Sequence, residues 1–404
     1  MKPVVAFLRE RGIRLIIYLD GLIIFCNNQE TLTHQLTLVQ ELFQSLGLTI
    51  NYKKSQLIPT QELVFLGLLI STVNMTISLP KEKLSKIQHE AKSLLLRSEV
   101  TVQRLAAFVG MTTAEKQAIR MSPLYHRQLQ ALINRVAPLA TSIEEVKQSY
   151  HQMVELSQEA KQELAWWAEE AQRFNSAPLL VKSPDLIIES DASRLGWGAT
   201  LKDQQMRTGG LWLVEEQSLH INCLELTTTF LAVKSFAKDR KNINLLIRTD
   251  NITARACINH FGGTHSHPMN AVATEIWKWC MNKSIFLIAE HLPGEKNIVA
   301  DEESRTVRDR CDWMIHPQIF LQINKTLGPL EVDLFASRLT HQLPRYFSWR
   351  PNPSAEATDA FTQNWSQLQG FANPPWCLIL PTLAKIQREK AKVVLVAPLW
   401  RSQP

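Results

Sequence analysis

The segment Leu186-Ile-Ile-Glu-Ser-Asp-Ala-Ser-Arg-Leu-Gly-Trp-Gly-Ala199 is the stretch around which the fold is organised. Its apolar residues predict a strand that ends at Asp191, followed by a turn of small residues and a second strand. A carboxylate at the end of a buried strand is held rigidly, which suits a hard divalent cation that needs fixed oxygen ligands. The segment therefore predicts an α/β fold with a metal site at the edge of its sheet.

Three later segments supply further carboxylates that such a fold would bring to the same place. They are Glu225 at the start of a helical run, Asp250 at the end of the strand Leu245–Thr249, and Asp301 in the helical turn 297–305. Four carboxylates in contact would repel one another and raise each other's pKa values. Two divalent ions, Mg²⁺ or Mn²⁺, typically about 3.5–4 Å apart, would remove that repulsion.

The composition is that of a globular protein with two or three domains. The chain has 404 residues, of which 45% are hydrophobic and 20% charged, and its net charge is +6. Residues 1–184 and 306–404 each carry a net charge of +4 and residues 185–305 carry −2. Mildly basic flanks are compatible with binding of a polyanion such as nucleic acid, and the acidic middle with a carboxylate site for cations. No apolar run has membrane-spanning length and no signal peptide is evident, so we expect a cytoplasmic or nuclear protein without a membrane partner.

The cysteines are scattered and contain no CxxC pair, which predicts reduced thiols; they lie at positions 26, 223, 257, 280, 311 and 377. A zinc site formed by Cys257, His260, His265 and His267 is an alternative, although this spacing fits no common zinc motif.

The N-terminal region predicts a strand hairpin, Ile13 to Phe25, with Asp20-Gly21 at the turn. The sequence Tyr18-Leu-Asp-Gly21 resembles the YxDD turn of reverse transcriptases, and two later segments, Asn51 to Ser55 and Phe65-Leu-Gly67, resemble the next motifs of the palm. Leu48–Ser55 and Leu63–Ile70 are both predicted to be strands. The resemblance implies a truncated palm over residues 1–75 with a remnant polymerase turn at Tyr18 and Asp20.

Two departures from the palm pattern predict a polymerase part without activity. Gly21 replaces the second aspartate of the turn, and no upstream aspartate is present. Two-metal phosphoryl transfer requires clustered carboxylates, which Asp20 alone does not supply. An ordinary hairpin is the alternative.

Residues 76–182 are predicted to be mainly helical, with helices at Lys81–Leu96, Val102–Met111, Pro123–Val136 and Ile143–Phe174. By resemblance they form the thumb and connection. Their basic residues either follow a phosphate backbone or are simply solvated. The pair Trp166-Trp167 is expected to pack in a core rather than to stack on bases.

Residues 183–310 alternate strands and helices around a predicted five-stranded mixed sheet. The predicted strands are Leu186–Ser190, Gly196–Leu201, Gly210–Val214, Leu245–Thr249 and Ile285–Glu290. Predicted helices start near Cys223, capped by Asn222, and cover Asn251–His260 and Pro268–Asn282.

This region resembles the ribonuclease H domain fused to retroelement reverse transcriptases. The motifs are Asp191-Ala-Ser with Gly196, Leu224-Glu-Leu226, Thr249-Asp-Asn251, and His291 to Asn297 followed by Ala300-Asp301. The resemblance implies that Asp191, Glu225, Asp250 and Asp301 are the catalytic metal ligands. It also implies that His291, on a loop, transfers protons or assists product release. A solvated loop histidine is the alternative.

The implied substrate is the RNA strand of an RNA–DNA hybrid, recognised through 2′-hydroxyl groups and minor-groove shape. Asn222 and Asn251 are candidate nucleic-acid contacts, and helix capping is the alternative for both.

The C-terminal region, residues 325–404, predicts a small α/β methyltransferase-like segment or a Pro-rich connector. Asn373-Pro-Pro-Trp376 resembles the base-binding loop of N6-adenine methyltransferases, in which Asn373 and Trp376 would contact a flipped base. Asp333 to Ser337 and Asp359-Ala-Phe361 also resemble phage-type members, but no glycine-rich cofactor loop is visible.

The order of these parts resembles the polyproteins of DIRS-like (tyrosine-recombinase) retrotransposons. We expect a ribonuclease H; a polymerase and a non-catalytic nucleic-acid-binding remnant are the alternatives. The sequence makes no prediction of the oligomeric state.

Overall fold

The computed structural model describes residues 1–136, 149–180, 183–263, 266–306 and 313–399. The chain divides into two compact units, Met1–Val181 and Lys182–Pro404. None of the described helices is long and apolar enough to cross a membrane. His265 of the alternative zinc set, Cys311, and the start of the run predicted over Ile143–Phe174 lie outside the described residues.

The first unit begins with helix α1 (Lys2–Glu10), the hairpin β1 (Arg14–Tyr18) and β2 (Gly21–Phe25), and helix α2 (Gln29–Ser45). Leu8, Ile13, Leu15 and Val39 form the buried core between these elements. The predicted turn at Asp20-Gly21 is wrong by one residue, because Tyr18 pairs with Gly21 and the turn is Leu19-Asp20. Leu19 has a φ of 54°, the left-handed conformation that such a two-residue turn requires.

The segment predicted as one strand over Leu63–Ile70 is a hairpin of β3 (Glu62–Phe65) and β4 (Leu68–Ser71). The chain reverses at Leu66 and Gly67, whose φ values are 52° and 75°. These strands continue into β5 (Thr76–Ser78) and pair through it with β8 (Ala177–Pro178).

The strand predicted over Leu48–Ser55 is also absent, because that segment contains a short 3₁₀ turn, Tyr52–Lys54. The Asn51 side chain accepts a hydrogen bond from the Lys54 N–H and thereby favours the turn over a strand.

The rest of the first unit is mainly helical, as predicted, but the run predicted as one helix over Ile143–Phe174 contains a strand, Met153–Glu155, before the helix Gln158–Glu169. This part of the unit contains α3 (Lys81–Leu95), α4 (Val102–Ala114), α5 (Arg127–Val136) and α6 (Gln158–Glu169), with the short strands β6 (Glu99–Thr101) and β7 (Met153–Glu155) paired between them. The segment around Pro123 is a 3₁₀ turn, Ser122–Tyr125, rather than the start of the helix. The core role of the tryptophan pair is confirmed, since Trp166 stacks on Tyr125 and Trp167 is fully buried.

The second unit contains two sheets, the first of which is mixed and five-stranded. Its strands are β9 (Leu186–Ala192), β10 (Gly196–Leu201), β11 (Met206–Leu211), β12 (Asn244–Thr249) and β13 (Phe286–His291). They lie in the order β11-β10-β9-β12-β13, with β9, β12 and β13 parallel. The strand predicted over Gly210–Val214 is displaced, because the chain after Leu211 turns and Glu216 accepts a hydrogen bond from the Leu213 N–H.

Four helices accompany this sheet: α7 (Ile221–Ala237), α8 (Ile252–Asn259), α9 (His267–Asn282) and α10 (Ile298–Arg305). The five cysteines in the described residues are free thiols, as predicted.

The second sheet is parallel and formed by the C-terminal region. Its order is β16-β15-β14-β17-β18, from the strands β14 (Val332–Asp333), β15 (Arg345–Ser348), β16 (Ala357–Thr358), β17 (Gln369–Ala372) and β18 (Lys392–Leu395). Helices α11 (Pro317–Leu327) and α12 (Ile379–Glu389) complete it. The alternative of a Pro-rich connector is wrong, because Pro344 to Trp365 contains two of these strands and the fully buried Trp365.

Candidate metal centre

Three of the four predicted carboxylates meet at one edge of the mixed sheet. Asp191 lies near the end of β9, Asp250 directly follows β12, and Glu225 lies in the first half of α7. Because β9 and β12 are parallel neighbours, their last residues reach the same edge. One carboxylate oxygen from each of the three residues lies within 4.8 Å of the other two.

Two carboxylates of this group, those of Asp191 and Glu225, are strongly desolvated. Burial raises the pKa of Glu225 to about 9, and the charges of Asp191 and Asp250 add to the effect. Burial also raises the pKa of Asp191 to about 6, against a hydrogen bond from Ser304 that lowers it. One Glu225 oxygen, Oε2, is buried without a hydrogen-bond partner. A divalent cation would offset the repulsion between these carboxylates and could be bound by the unpaired oxygen, so the residues present fit such an ion.

Asp301, the fourth predicted carboxylate, is not a member of this group. Its Oδ1 accepts a hydrogen bond of 2.7 Å from Arg305 Nε one turn later in α10, and its side chain is partly exposed. Its charge still raises the pKa of Asp191, so it lies within electrostatic reach of the group.

Helix α10 is fixed against the sheet by close packing and hydrogen bonds. A Cβ atom at Gly198 would lie 2.7 Å from Glu303 Cβ, so only glycine permits this approach. Ser304 Oγ donates to Asp191 Oδ2 at 2.8 Å, and Asn297 Nδ2 donates to the Ser190 carbonyl at 3.0 Å. Ser193 Oγ donates to the Ser304 carbonyl at 2.6 Å.

Ser304 was not singled out from the sequence, and no role was predicted for Ser193 and Asn297, which lie in the motifs quoted above. Ser304 could have been found from its spacing, because a residue three positions after Asp301 lies on the same face of a helix.

His291 is the last residue of β13 and is exposed, so its predicted loop position is wrong. It pairs in register with Thr249, the residue before Asp250. The following loop approaches the site closely, because a Cβ atom at Gly294 would lie 3.2 Å from Asp250 Oδ2. His291 is therefore held at the same sheet edge as the carboxylates.

Asn222 and Asn251 form a polar pair beside Asp250. Asn251 Nδ2 donates to Asn222 Oδ1 at 3.0 Å, and Asn251 Oδ1 accepts from the Ala254 N–H and caps α8. Asn222 is not a cap as predicted, since the N-cap of α7 is His220.

The remaining candidates lie away from this centre in the chain. Tyr18 directly precedes the first hairpin turn, Asp20 lies in it, and both are exposed. Asn373 follows β17 directly, and its Nδ2 donates to the Trp313 carbonyl at 2.9 Å. The rings of Trp313 and Trp376 lie 4.9 Å apart, and both side chains are about half exposed. The described residues contain no second group of three potential metal ligands.

The chain is similar in sequence to reverse transcriptases and to viral polyproteins. Residues 1–70 match the family described as reverse transcriptase (RNA-dependent DNA polymerase). The chain is 25% identical over 305 residues to the enzymatic polyprotein of cauliflower mosaic virus, in strain D/H and in strain Strasbourg. The match covers 72% of this chain but 40% of those proteins, so the chain spans well under half of their length.

Solved structures with a detectable likeness include two kinds of protein. A foamy viral protease-reverse transcriptase in complex with double-stranded DNA matches with a TM-score of 0.37 and 14% identity, covering 71% of this chain and 47% of that one. LC11-RNase H1 in complex with an RNA/DNA hybrid matches with a TM-score of 0.26 and 17% identity, covering 30% of this chain and 93% of that one.

Proposed function

We propose that this chain is a metal-dependent endonuclease that hydrolyses the RNA strand of RNA–DNA hybrids, the activity of a ribonuclease H domain. The observation that carries the proposal is the meeting of Asp191, Glu225 and Asp250, which come from three separate elements and have oxygens within 4.8 Å of one another. Two of these carboxylates are almost fully buried. Divalent ions bound by carboxylates this close together would offset their repulsion and could activate a phosphodiester for hydrolysis.

In this proposal the three carboxylates and Asp301 hold two Mg²⁺ or Mn²⁺ ions, which would supply an activated water and stabilise the leaving 3′ oxygen. Ser304 fixes the orientation of Asp191 through its hydrogen bond to Oδ2, and Arg305 restrains Asp301. His291, at the edge of the site, exchanges protons with the departing product. The products would carry 5′-phosphate and 3′-hydroxyl ends.

The asparagine pair gives the site a means to select RNA. Asn251 is held by its cap bond and by Asn222, so the pair presents a preorganised amide surface beside Asp250. An amide can donate to and accept from a 2′-hydroxyl, the group that distinguishes RNA from DNA. We therefore assign the pair to contact the RNA strand of the hybrid.

Residues 1–75 are proposed to be a palm remnant without polymerase activity. The hairpin turn offers one carboxylate, Asp20, and the described residues of the first unit contain no group of three potential metal ligands. A primer-extension assay on an RNA template tests this, and extension by the purified protein would contradict it.

The C-terminal sheet supports a second, weaker assignment as a methyltransferase-like module of a DIRS-like element. The chain adds β15 and β16 on one side of β14 and then adds β17 and β18 on its other side, so the sheet has a switch point between β14 and β17. Asn373 follows the carboxyl end of β17. Ligands of open parallel sheets bind at such a point. Asn373 and Trp376 are accordingly proposed as contacts for a base.

The test of the main proposal is cleavage of a labelled RNA–DNA hybrid by the full chain in Mg²⁺ or Mn²⁺. We expect cut RNA with 5′-phosphate ends, uncut DNA, and no cleavage of single-stranded RNA. Asp250→Asn should abolish cleavage and leave the fold intact, whereas undiminished cleavage by this variant would refute the site. The matched control is Asp203→Asn, which changes an exposed carboxylate beyond the far end of β10.

A further inference from the structure

Glu303 is a buried carboxylate on the helix that carries Asp301. Its side chain is 2% exposed and accepts a hydrogen bond of 3.0 Å at Oε2 from Arg350 Nη1. Arg207 Nη1 lies farther away, 3.9 Å from Oε1. Because a buried charge is costly unless it is paired, Arg350 provides the stronger neutralisation of this carboxylate.

Arg350 belongs to the other sheet of the unit, in the segment between β15 and β16. The C-terminal sheet is held to the mixed sheet at three further places. Arg338 forms a two-bond ion pair with Glu216, with distances of 2.9 and 2.5 Å, and both side chains are largely buried. Lys238 Nζ donates to the Ala355 carbonyl at 2.7 Å, and Thr208 Oγ1 donates to the Pro351 carbonyl. Arg350 is therefore presented to α10 from an anchored support.

The position of Glu303 within α10 connects this ion pair to the metal centre. Glu303 directly precedes Ser304, which holds Asp191, and lies two residues after Asp301. Its Cβ faces Gly198 at a distance that leaves no space for a side chain. A shift of Glu303 in a helix of eight residues would displace both Ser304 and Asp301.

We propose that Arg350 is a positioning residue for the metal centre and that the C-terminal sheet is a structural part of the nuclease. Arg350 touches none of the carboxylates that bind metal; it acts through Glu303, which sets the position of α10. The inference rests on the proposed function as far as cleavage is concerned. Its effect on α10 and on metal binding is measured independently of cleavage.

The experiment uses the full chain and three variants. Arg350→Met keeps an unbranched side chain in place of the aliphatic part of the arginine and removes the guanidinium, so Glu303 loses its shorter ion pair. Arg350→Met combined with Glu303→Gln removes the buried charge as well. Arg345→Met is the matched control, because it breaks an exposed ion pair with Glu356 within the same sheet. Hydrogen exchange of the backbone amides of residues 298–305 without metal, calorimetric titration with Mn²⁺, and hybrid cleavage are measured for each.

We expect Arg350→Met to accelerate amide exchange in α10 and to weaken Mn²⁺ binding about tenfold, a loss of about 1.4 kcal/mol. Cleavage at subsaturating Mn²⁺ should fall and should recover partly at high Mn²⁺. The double variant should regain most of the lost protection and affinity, and Arg345→Met should match the wild type.

Wild-type exchange and Mn²⁺ affinity in Arg350→Met would overturn the positioning role. If Arg350→Met alone fails to fold, the double variant decides, since restored folding supports the charge coupling and continued failure contradicts it. If the wild type cleaves no hybrid in either metal, the proposed function fails, and the exchange and Mn²⁺ data still test the role of Arg350.

Discussion

Replacement of Asp250 by asparagine should stabilise the metal-free protein and remove its response to metal. The three carboxylates lie within 4.8 Å of one another. At pH 7 without metal, Glu225 is protonated, because its pKa is about 9, whereas Asp191, with a pKa of about 6, is mostly ionised. Within the group Asp250 therefore faces one charged carboxylate, and the asparagine variant removes that repulsion together with the attraction of Asp250 to the exposed Arg305.

The expected size of this gain follows from the distance. Two unit charges 4.8 Å apart repel by about 3.5 kcal/mol at an effective dielectric constant of about 20. Asp250 is only half-buried, so screening by solvent and salt reduces the value to about 1–2 kcal/mol. For a unit of this size such a gain raises Tm by about 2–8 °C.

The assay is thermal unfolding of the full chain in EDTA and in a series of Mn²⁺ concentrations. In EDTA the variant should melt above the wild type. At a Mn²⁺ concentration of about 100 times Kd the wild type should gain about 2.7 kcal/mol, and the variant should gain little. Asp203→Asn, the control, should follow the wild type throughout. A variant that melts below the wild type in EDTA, or that gains equally from Mn²⁺, would refute the view that these carboxylates share a cation.

Three further outcomes are expected. His291→Ala should slow hybrid cleavage by about 10²-fold without changing Mn²⁺ affinity, and an equal loss of affinity would assign the histidine to metal binding instead. Ser304→Ala removes the hydrogen bond that lowers the pKa of Asp191, so Mn²⁺ titrations should show binding shifted to higher pH, and an unshifted profile would contradict this. Glu163, in α6, has a pKa raised by burial from 4.5 to about 7. Its contribution to the free energy of unfolding is therefore complete below pH 4.5 and lost as the pH rises through 7. In denaturant titrations the stability of the wild type relative to Glu163→Gln should fall between these two pH values and should be constant above them.

The mixed sheet could be predicted from sequence because its motifs lie at the ends of long apolar strands. Leu186–Ser190 and Leu245–Thr249 have strong strand signals, and each places a carboxylate at the following position. The departure of Asp301 from the group could have been suspected from sequence, because Arg305 lies four residues later on the same helix, a spacing that favours an exposed ion pair.

The turns of the first unit were mispredicted for a local reason. Leu19 and Leu66 adopt positive φ, a conformation that leucine seldom takes and that no sequence rule assigns to it. The parallel C-terminal sheet was recognised only in outline, because β14 and β16 contain two residues each and show no periodic pattern. The ion pair between Glu303 and Arg350 joins residues 47 positions apart and could not be seen without coordinates.

That ion pair also bears on how such a gene can change by recombination. Exchange of the C-terminal sheet for an unrelated sequence would leave Glu303 buried opposite a surface that lacks Arg350. The two sheets are therefore expected to be inherited as one block, and a crossover between residues 306 and 313 should weaken metal binding unless a second mutation removes the charge at position 303.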